Sequence, residues 1–346
     1  MLTNLTPFTC RYILYASAVM GNLNSSFVEQ YGGKVDAFLY DVAKNSKIDD
    51  GSFFPLARHM SWFDGHSFAS GLFPFGNGKS QESSSEAVNG YYGAYLWSLV
   101  KNGAQKDPNS DISPMTDFTR LLLAMEVRGA KTYWHMMPPT ATGVLNTTIS
   151  AFPAVYSPQF STNYMIGNVG MLDAICSTWF GTENLYVHMI NLLPVTSITK
   201  ELFEREYVKN EYADVISQYP EAEMAWRGYV VCDRALADPM KAWKDALELK
   251  SFQLDSGLSK SQVLYFTMTS PAGFNVSQIS IPGGSSSSSS IPSDKSGSSS
   301  SSSASSSSGS SDSASCAYHD ACLSSGLGGL CCPTSDGKFL ACCNAN

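Results

Sequence analysis

Two carboxylates four residues apart, Glu82 and Glu86, frame the run Gln81-Glu82-Ser83-Ser84-Ser85-Glu86-Ala87-Val88-Asn89, just ahead of an aromatic-rich helical pattern, Tyr91-Tyr92-Gly93-Ala94-Tyr95-Leu96-Trp97. On one helix face such a pair has Cβ atoms about 5–6 Å apart. Like charges held that close push their titrations apart, so that one group stays ionised while the other keeps a proton more readily. Cleavage of a glycosidic bond needs that division of labour. The plainer reading is a helix start, in which Ser83, Ser84 or Ser85 is the cap and the glutamates sit at the positive end, a placement that contributes about 0.3–1 kcal/mol each. The surroundings favour chemistry. Trp62, Phe63, Asp64, Gly65, His66, Ser67 and Phe68 lie shortly before the pair. Sugar rings have apolar faces edged by hydroxyls, and a groove mixing flat aromatics with carboxylates, His and Asn suits them.

Within that groove Asp64 and His66 are candidates to hold sugar hydroxyls or a catalytic water, with a hydrogen-bonded turn around Gly65 as the structural alternative. Trp62, Tyr91, Tyr92 and Trp134 are candidates for sugar stacking, although core packing is an equal claim on Tyr91, Tyr92 and Trp134. His135 and His188 stand beside apolar residues in helical contexts, which favours packing over ligation.

The elements that must position these groups read as mostly helical. Apolar residues recur at three-to-four spacing over Tyr12–Gly21, Phe27–Lys44, Glu86–Lys101, Thr116–Met136 and Glu221–Leu249, and segments 167–180 and 183–218 follow, the second interrupted by Pro194. Gly103 after Lys101, and Pro114 ahead of Thr116, are stop and start signals. Short strands are expected at Phe152–Tyr156, Tyr229–Val231 and Val263–Met268. Seven or more helices with site residues in their connections suggest a toroid of helical hairpins, and periodicity alone does not separate it from a bundle.

The 346-residue chain is 43% hydrophobic, enough for a substantial core, and its net charge of −8 argues against nucleic acid or an anionic membrane as partner. No apolar run reaches the length of a membrane span. Composition changes near Ile281. Residues 283 to 315 are mostly serine and read as a linker, and Cys316, Cys322, Cys331, Cys332, Cys342 and Cys343 crowd the end into a disulfide-rich module. The domain reading is therefore 1–280 for the body, 281–315 for the linker and 316–346 for the module. No metal site is expected, because the tail lacks a C-x₂-C pair. Four sequons, at Asn4, Asn24, Asn146 and Asn275, are compatible with secretion, whereas Met1 to Arg11 lacks the charged start and apolar segment of an export signal. An extracellular or wall-associated protein is expected, and the missing signal suggests a fragment or an altered gene product.

The run Trp62-Phe63-Asp64-Gly65-His66-Ser67-Phe68-Ala69-Ser70-Gly71-Leu72, then Gln81 to Asn89 and the Tyr-Tyr-Gly-Ala-Tyr-Leu-Trp helix, closely resembles glycoside hydrolase family 81, the endo-β-1,3-glucanases. The likeness runs from about Tyr12 to Met268, through Lys131-Thr132-Tyr133-Trp134-His135 and Ile166-Gly167-Asn168, and covers the family's C-terminal (α/α)6 toroid. The serine tether and Cys-rich end look like the tails on such enzymes in oomycete plant pathogens. The resemblance implies a mainly α fold and an inverting, cofactor-free endo-hydrolase of β-1,3-glucan. An aspartic acid protonates the leaving oxygen, and a glutamate of the pair carried onto Glu82 and Glu86 activates water. An inverting pair stands about 6.5–9.5 Å apart, so the acid must come from elsewhere in the fold.

Here the chain departs from the pattern. The family's acid lies in a motif N-D-H-H-F-H-Y-G-Y before the first helix. Aligned on Asn4, Phe8 and Tyr12, that motif puts Leu5 at the acid, Thr6, Pro7 and Thr9 at the histidines and Arg11 at the glycine. Leucine donates no proton, and losing general-acid catalysis costs about 10²–10⁴ in rate. A weakened or inactive hydrolase is expected, with Asp64 the first substitute acid although positioning is the role its setting favours. The alternatives are a glucan-binding remnant, a secreted effector, or an incomplete gene product. The expected state is a monomer whose partner is the β-1,3-glucan itself.

Overall fold

The computed structural model describes residues 7–45, 54–69, 79–103, 113–136, 164–167, 184–217 and 224–275. The chain divides into two units, Met1–Ser280 and Ile281–Asn346, and every described residue belongs to the first. That unit is mainly helical: α1 (Pro7–Leu23), α2 (Ser25–Ala43), α3 (Ser84–Asn102), α4 (Pro114–Tyr133), α5 (Asn184–Leu192), α6 (Thr199–Leu202), α7 (Arg205–Ser217), α8 (Arg227–Ala237), α9 (Pro239–Glu248) and α10 (Lys260–Met268). The described strands, β1 (Met60–Ser61) and β2 (His66–Ser67), form a two-residue antiparallel ladder pairing Met60 with Ser67 and Ser61 with His66.

Local chemistry sets the helix ends. Asn24, Ser83, Ser113, Asp238 and Ser259 each accept a backbone N–H in the first turn of α2, α3, α4, α9 and α10, satisfying donors that have no partner inside the helix. Pro114 and Pro239 occupy first-turn positions, where a missing N–H does no harm. Gly103 closes α3 in the left-handed region at φ 71°, with its N–H on the Val100 carbonyl.

α3 is the centre of the first half, packed between α1 and α4, with α2 behind α1. Its buried face carries Val88, Tyr91, Ala94 and Trp97 against Leu14, Leu39 and Leu122. The Trp97 indole donates to Asp36 at 2.9 Å, and Lys101 pairs with the same carboxylate. In the second half α7, α8, α9 and α10 pack in sequence, and α5 touches both α3 and α8. Cys232 sits in α8 with no exposure. Burial pushes its thiol up. We expect it to resist iodoacetamide in the folded protein and to react only on unfolding, read by peptide mass mapping; labelling at the native rate of an exposed thiol would refute this burial.

Several sequence expectations are corrected. Tyr229–Val231 and Val263–Met268 are not strands: they lie in α8 and α10, since short apolar runs fit either element. The long 221–249 pattern is broken at Asp238-Pro239, because the residue before proline is pushed out of the helical region, and Asp238 adopts φ −137°, ψ 76°. The 183–218 segment resolves into α5, α6 and α7, and α4 ends at Tyr133 rather than Met136. The Phe152–Tyr156 strand, all but the first residue of the 167–180 helix, the serine linker and the Cys-rich module lie outside the described residues.

Candidate active site

Ser83 is the cap of α3, with its hydroxyl accepting the Glu86 N–H at 3.2 Å. Glu86 is thus in the first turn, while Glu82 precedes the cap. The two carboxylates do not share a helix face, and the helical spacing assumed from sequence is corrected. Glu82 is buried and Glu86 half-buried. The Tyr12 hydroxyl in α1 donates to Glu86 Oε1 at 2.7 Å, fixing that carboxylate from a residue 74 positions away.

All three serines between the glutamates are buried and point at one partner, the end of α5. Ser83 Oγ donates to the Ile190 carbonyl at 2.7 Å, Ser84 N–H and Oγ both donate to Asn191 Oδ1 at 2.9 Å, and Ser85 Oγ donates to the Leu193 carbonyl. One turn on, Asn89 Nδ2 donates to the Ser85 and Pro194 carbonyls, and its Oδ1 accepts from Thr196 Oγ1 at 2.6 Å. The head of α3 and the tail of α5 therefore satisfy one another's unpaired groups, which explains why a serine run suits this position better than any apolar one.

Other sequence-predicted candidates lie on the β1–β2 hairpin, whose cavity is lined by neither glutamate. The hairpin turn is held by Ser61 Oγ donating to Asp64 Oδ2 at 2.6 Å and by Gly65 at φ 76°, a conformation that L side chains rarely adopt. The backbone continues into the glutamate turn through Ala69 N–H on the Ser80 carbonyl at 2.8 Å. Behind the hairpin, Ser67 N–H donates to the buried Glu126 of α4 at 2.7 Å. Trp62 is 48% and Phe63 98% exposed. With Asp64, Gly65, Arg128 and Tyr133 they line a cavity of about 360 Å³. Gly129 is where hairpin and α4 touch: a Cβ there would lie 2.6 Å from His66 Cβ and 3.1 Å from the Gly65 carbonyl. Gly129→Ala is expected to cost about 1–3 kcal/mol by overpacking, read from urea midpoints, and to shift Trp62 fluorescence as the hairpin moves. An unchanged midpoint and spectrum would mean that the contact yields freely.

Burial sorts the remaining candidates. Tyr91 and Trp134 have no exposed surface and cannot present a face to sugar; both serve the core, Trp134 against the His66 ring at 4.9 Å. His66 is also enclosed, its ring between Phe68, Tyr133 and Trp134 and its Nδ1 on the Ser67 carbonyl. Burial holds its titration below the usual histidine range, so it packs as a neutral ring and does not reach a hydroxyl. Tyr92 is half-buried against Tyr15 at 5.9 Å. His135 lies flat on Tyr207 at 4.5 Å, and His188 pairs with Glu211 at 2.7 Å; both are core residues. Glu82, Glu86, Asp64, Trp62 and Tyr92 remain as candidates. The aligned position of the missing acid, Leu5, lies outside the described residues.

Residues not singled out from sequence complete the surroundings. Tyr229 donates to Asp255 Oδ2 at 3.0 Å, and its hydroxyl is pushed up by burial and by Asp255, with a smaller contribution from Glu86. Glu86 is held by a tyrosine of α1. Only chain folding brings these together, and no local sequence signal marks them.

The fold is shared with a glycoside hydrolase family 81 protein from Clostridium thermocellum, solved as a glutamate-to-alanine mutant: the TM-score is 0.61 at 24% identity, over 77% of this chain and 34% of that one. The chain matches the glycosyl hydrolase family 81 C-terminal domain over residues 4–264 and belongs to that family. It is 30% identical over 228 residues to glucan endo-1,3-beta-D-glucosidase 2 of Saccharomyces cerevisiae, covering 65% of this chain and 26% of that protein. It is 26% identical over 260 residues to the primary septum glucan endo-1,3-beta-D-glucosidase of Schizosaccharomyces pombe, covering 74% and 23% respectively. The chain spans about a quarter of the length of these curated relatives.

Proposed function

We propose that this chain is the helical catalytic portion of an endo-hydrolase of β-1,3-glucan, acting outside the cell or at the wall, as a monomer and without a cofactor. The observation that carries the reading is the glutamate turn, with two carboxylates flanking a serine run whose every hydroxyl is bonded to the end of α5 or the residue just after it. A turn fastened in this way holds a base and its helper at a fixed offset, and such preorganisation is what an inverting displacement requires. Glu82 or Glu86 takes the proton of the attacking water. Trp62 and Tyr92 offer ring faces to sugar, and Asp64, fixed by Ser61, is the remaining candidate for hydroxyl positioning or a substitute acid. Among the described residues no helix is long and apolar enough to cross a membrane.

Leu5 at the aligned acid position favours a second reading, in which the groove grips β-1,3-glucan without turning it over. One experiment separates the two: reducing ends released from a soluble β-1,3-glucan, beside a β-1,4-glucan control, with oligosaccharide affinity measured by calorimetry on the same folded sample. Turnover confined to the β-1,3 polymer supports the hydrolase. Binding without turnover supports the remnant, and neither binding nor turnover would sink both.

A further inference from the structure

Of the serine contacts with the end of α5, those of Ser83 and Ser85 fall on backbone carbonyls and that of Ser84 on Asn191. At that point the acceptor is a side chain, and this makes Asn191 different in kind from its neighbours. Its amide is fully specified. Nδ2 donates to the Val187 carbonyl one turn back at 2.9 Å, which leaves Oδ1 to face α3, where both of its lone pairs are taken by Ser84 N–H and Ser84 Oγ at 2.9 Å. The Val187 carbonyl only accepts and the Ser84 N–H only donates, so the amide cannot be flipped without breaking both contacts. Asn191 has no exposure and Ser84 has 1%. Ser84 is the first residue of α3, placed between Glu82 just outside the cap and Glu86 in the first turn. Its N–H belongs to the helix-start donors that nothing within α3 can satisfy.

We propose that Asn191 is a positioning residue of the candidate active site: by holding the Ser84 backbone it fixes how far apart, and at what angle, the Glu82 and Glu86 carboxylates stand. It touches neither substrate nor reacting atoms, and acts through Ser84 alone. The significance of the site rests on the hydrolase reading above, while the positioning itself is a property of the fold.

The chemistry of asparagine dictates the variants. Leucine matches the shape of the side chain, removes the acceptor and leaves the Ser84 N–H buried without a partner. Asn191→Asp divides by pH. As a neutral acid it donates to Val187 and accepts from Ser84, reproducing the native pattern, whereas once ionised it turns a negative oxygen on the Val187 carbonyl. Leu236→Ala, in the α8 core, is the control for general loosening.

The test is a pair of measurements on the full chain: amide exchange at Ser84, and the carboxyl ¹³C titration of Glu82 and Glu86. In Asn191→Leu we expect Ser84 to exchange at least about tenfold faster and both glutamate curves to move. In Asn191→Asp both readouts return toward wild type at acid pH and depart from it at neutral pH. Ser84→Ala, which keeps the N–H bond and loses only the hydroxyl, gives a smaller change of the same sign and serves if the leucine variant does not fold. Glutamate titrations that are unchanged in the Asn191 variants, or moved equally by Leu236→Ala, overturn the proposal. Cleavage of a β-1,3-gluco-oligosaccharide is followed in parallel, where misplaced carboxylates lower kcat and leave KM alone. An inactive wild type counts against the hydrolase reading and leaves the exchange and titration results to decide the positioning.

Discussion

Turnover of a soluble β-1,3-glucan should fall by at least about 100-fold in whichever of Glu82→Gln and Glu86→Gln removes the base, the lower end of what proton transfer by a positioned side chain contributes. Glutamine preserves the shape of each side chain. At Glu86 it also keeps an oxygen for the Tyr12 hydroxyl, which donates at 2.7 Å, so the variant removes proton acceptance while leaving the contact that orients the group. At the buried Glu82 it removes a charge that stands just outside the helix cap. The two losses should be unequal, because the cap separates the residues and only one of them can face the water. The larger loss identifies the base and the smaller its helper. Oligosaccharide affinity should stay within about threefold in both, since neither change opens a cavity. Tyr12→Phe probes the same geometry at one remove and should lower kcat by about tenfold, the value of a hydrogen bond to a charged group. Equal, small losses in both glutamine variants would remove the pair from the chemistry and direct attention to Asp64.

The positions of the glutamates, the turn around Gly65 and the capped starts of α3 and α4 were legible in the sequence because each rests on short-range rules. A serine three residues before Glu86, a proline one residue into α4 and a glycine after Lys101 act within one helical turn. The misread elements are equally instructive. Tyr91 and Trp134 look like sugar platforms because they neighbour the motif, yet neighbouring residues on a helix point in different directions, and these two fall on the faces that α3 and α4 turn inward. Tyr229–Val231 looks like a strand because three apolar residues in a row carry no period, whereas α8 is buried widely enough to need them.

The α5 tail could not be read at all. Asn191, Leu193 and Pro194 meet Ser84, Ser85 and Asn89 across more than 100 residues of chain, and nothing in either segment names the other. A serine run is a polar linker by composition and becomes a fastening only when another helix end arrives with unpaired carbonyls. The same holds for Glu86, whose hydrogen-bond partner Tyr12 comes from α1. Sequence thus located the reactive groups, and tertiary structure supplied what holds them.

Between α5 and α7 lies the contact whose loss we expect to cost most in stability. His188 Nδ1 pairs with Glu211 Oε2 at 2.7 Å, the two side chains being 4% and 1% exposed. Asp233 of α8 faces the same glutamate, and burial first, then the Glu211 charge, pushes its titration well above the usual carboxylate range. Asp233 thus keeps its proton beside Glu211, and this one carboxylate links α5, α7 and α8. Glu211→Ala strands both partners and should cost about 3–5 kcal/mol, read from urea midpoints at neutral pH.

Asp233→Asn should behave differently, because an amide donates to Glu211 at every pH. In the wild type the folded state keeps the Asp233 proton above pH about 3.9, where an unfolded aspartate has released it. The folded state then binds more protons, so stability falls as pH rises through that window. The asparagine variant should lose that decline and gain on the wild type toward pH about 8. Its acid limb should survive, since it has another source. Burial holds His135 down to about 3, so it stays neutral while unfolded histidine charges below about 6.5, and stability is lost as pH falls through that range. Urea midpoints from pH about 4 to about 8 decide the matter: curves that run parallel for wild type and Asp233→Asn would show that Asp233 carries no proton into the fold.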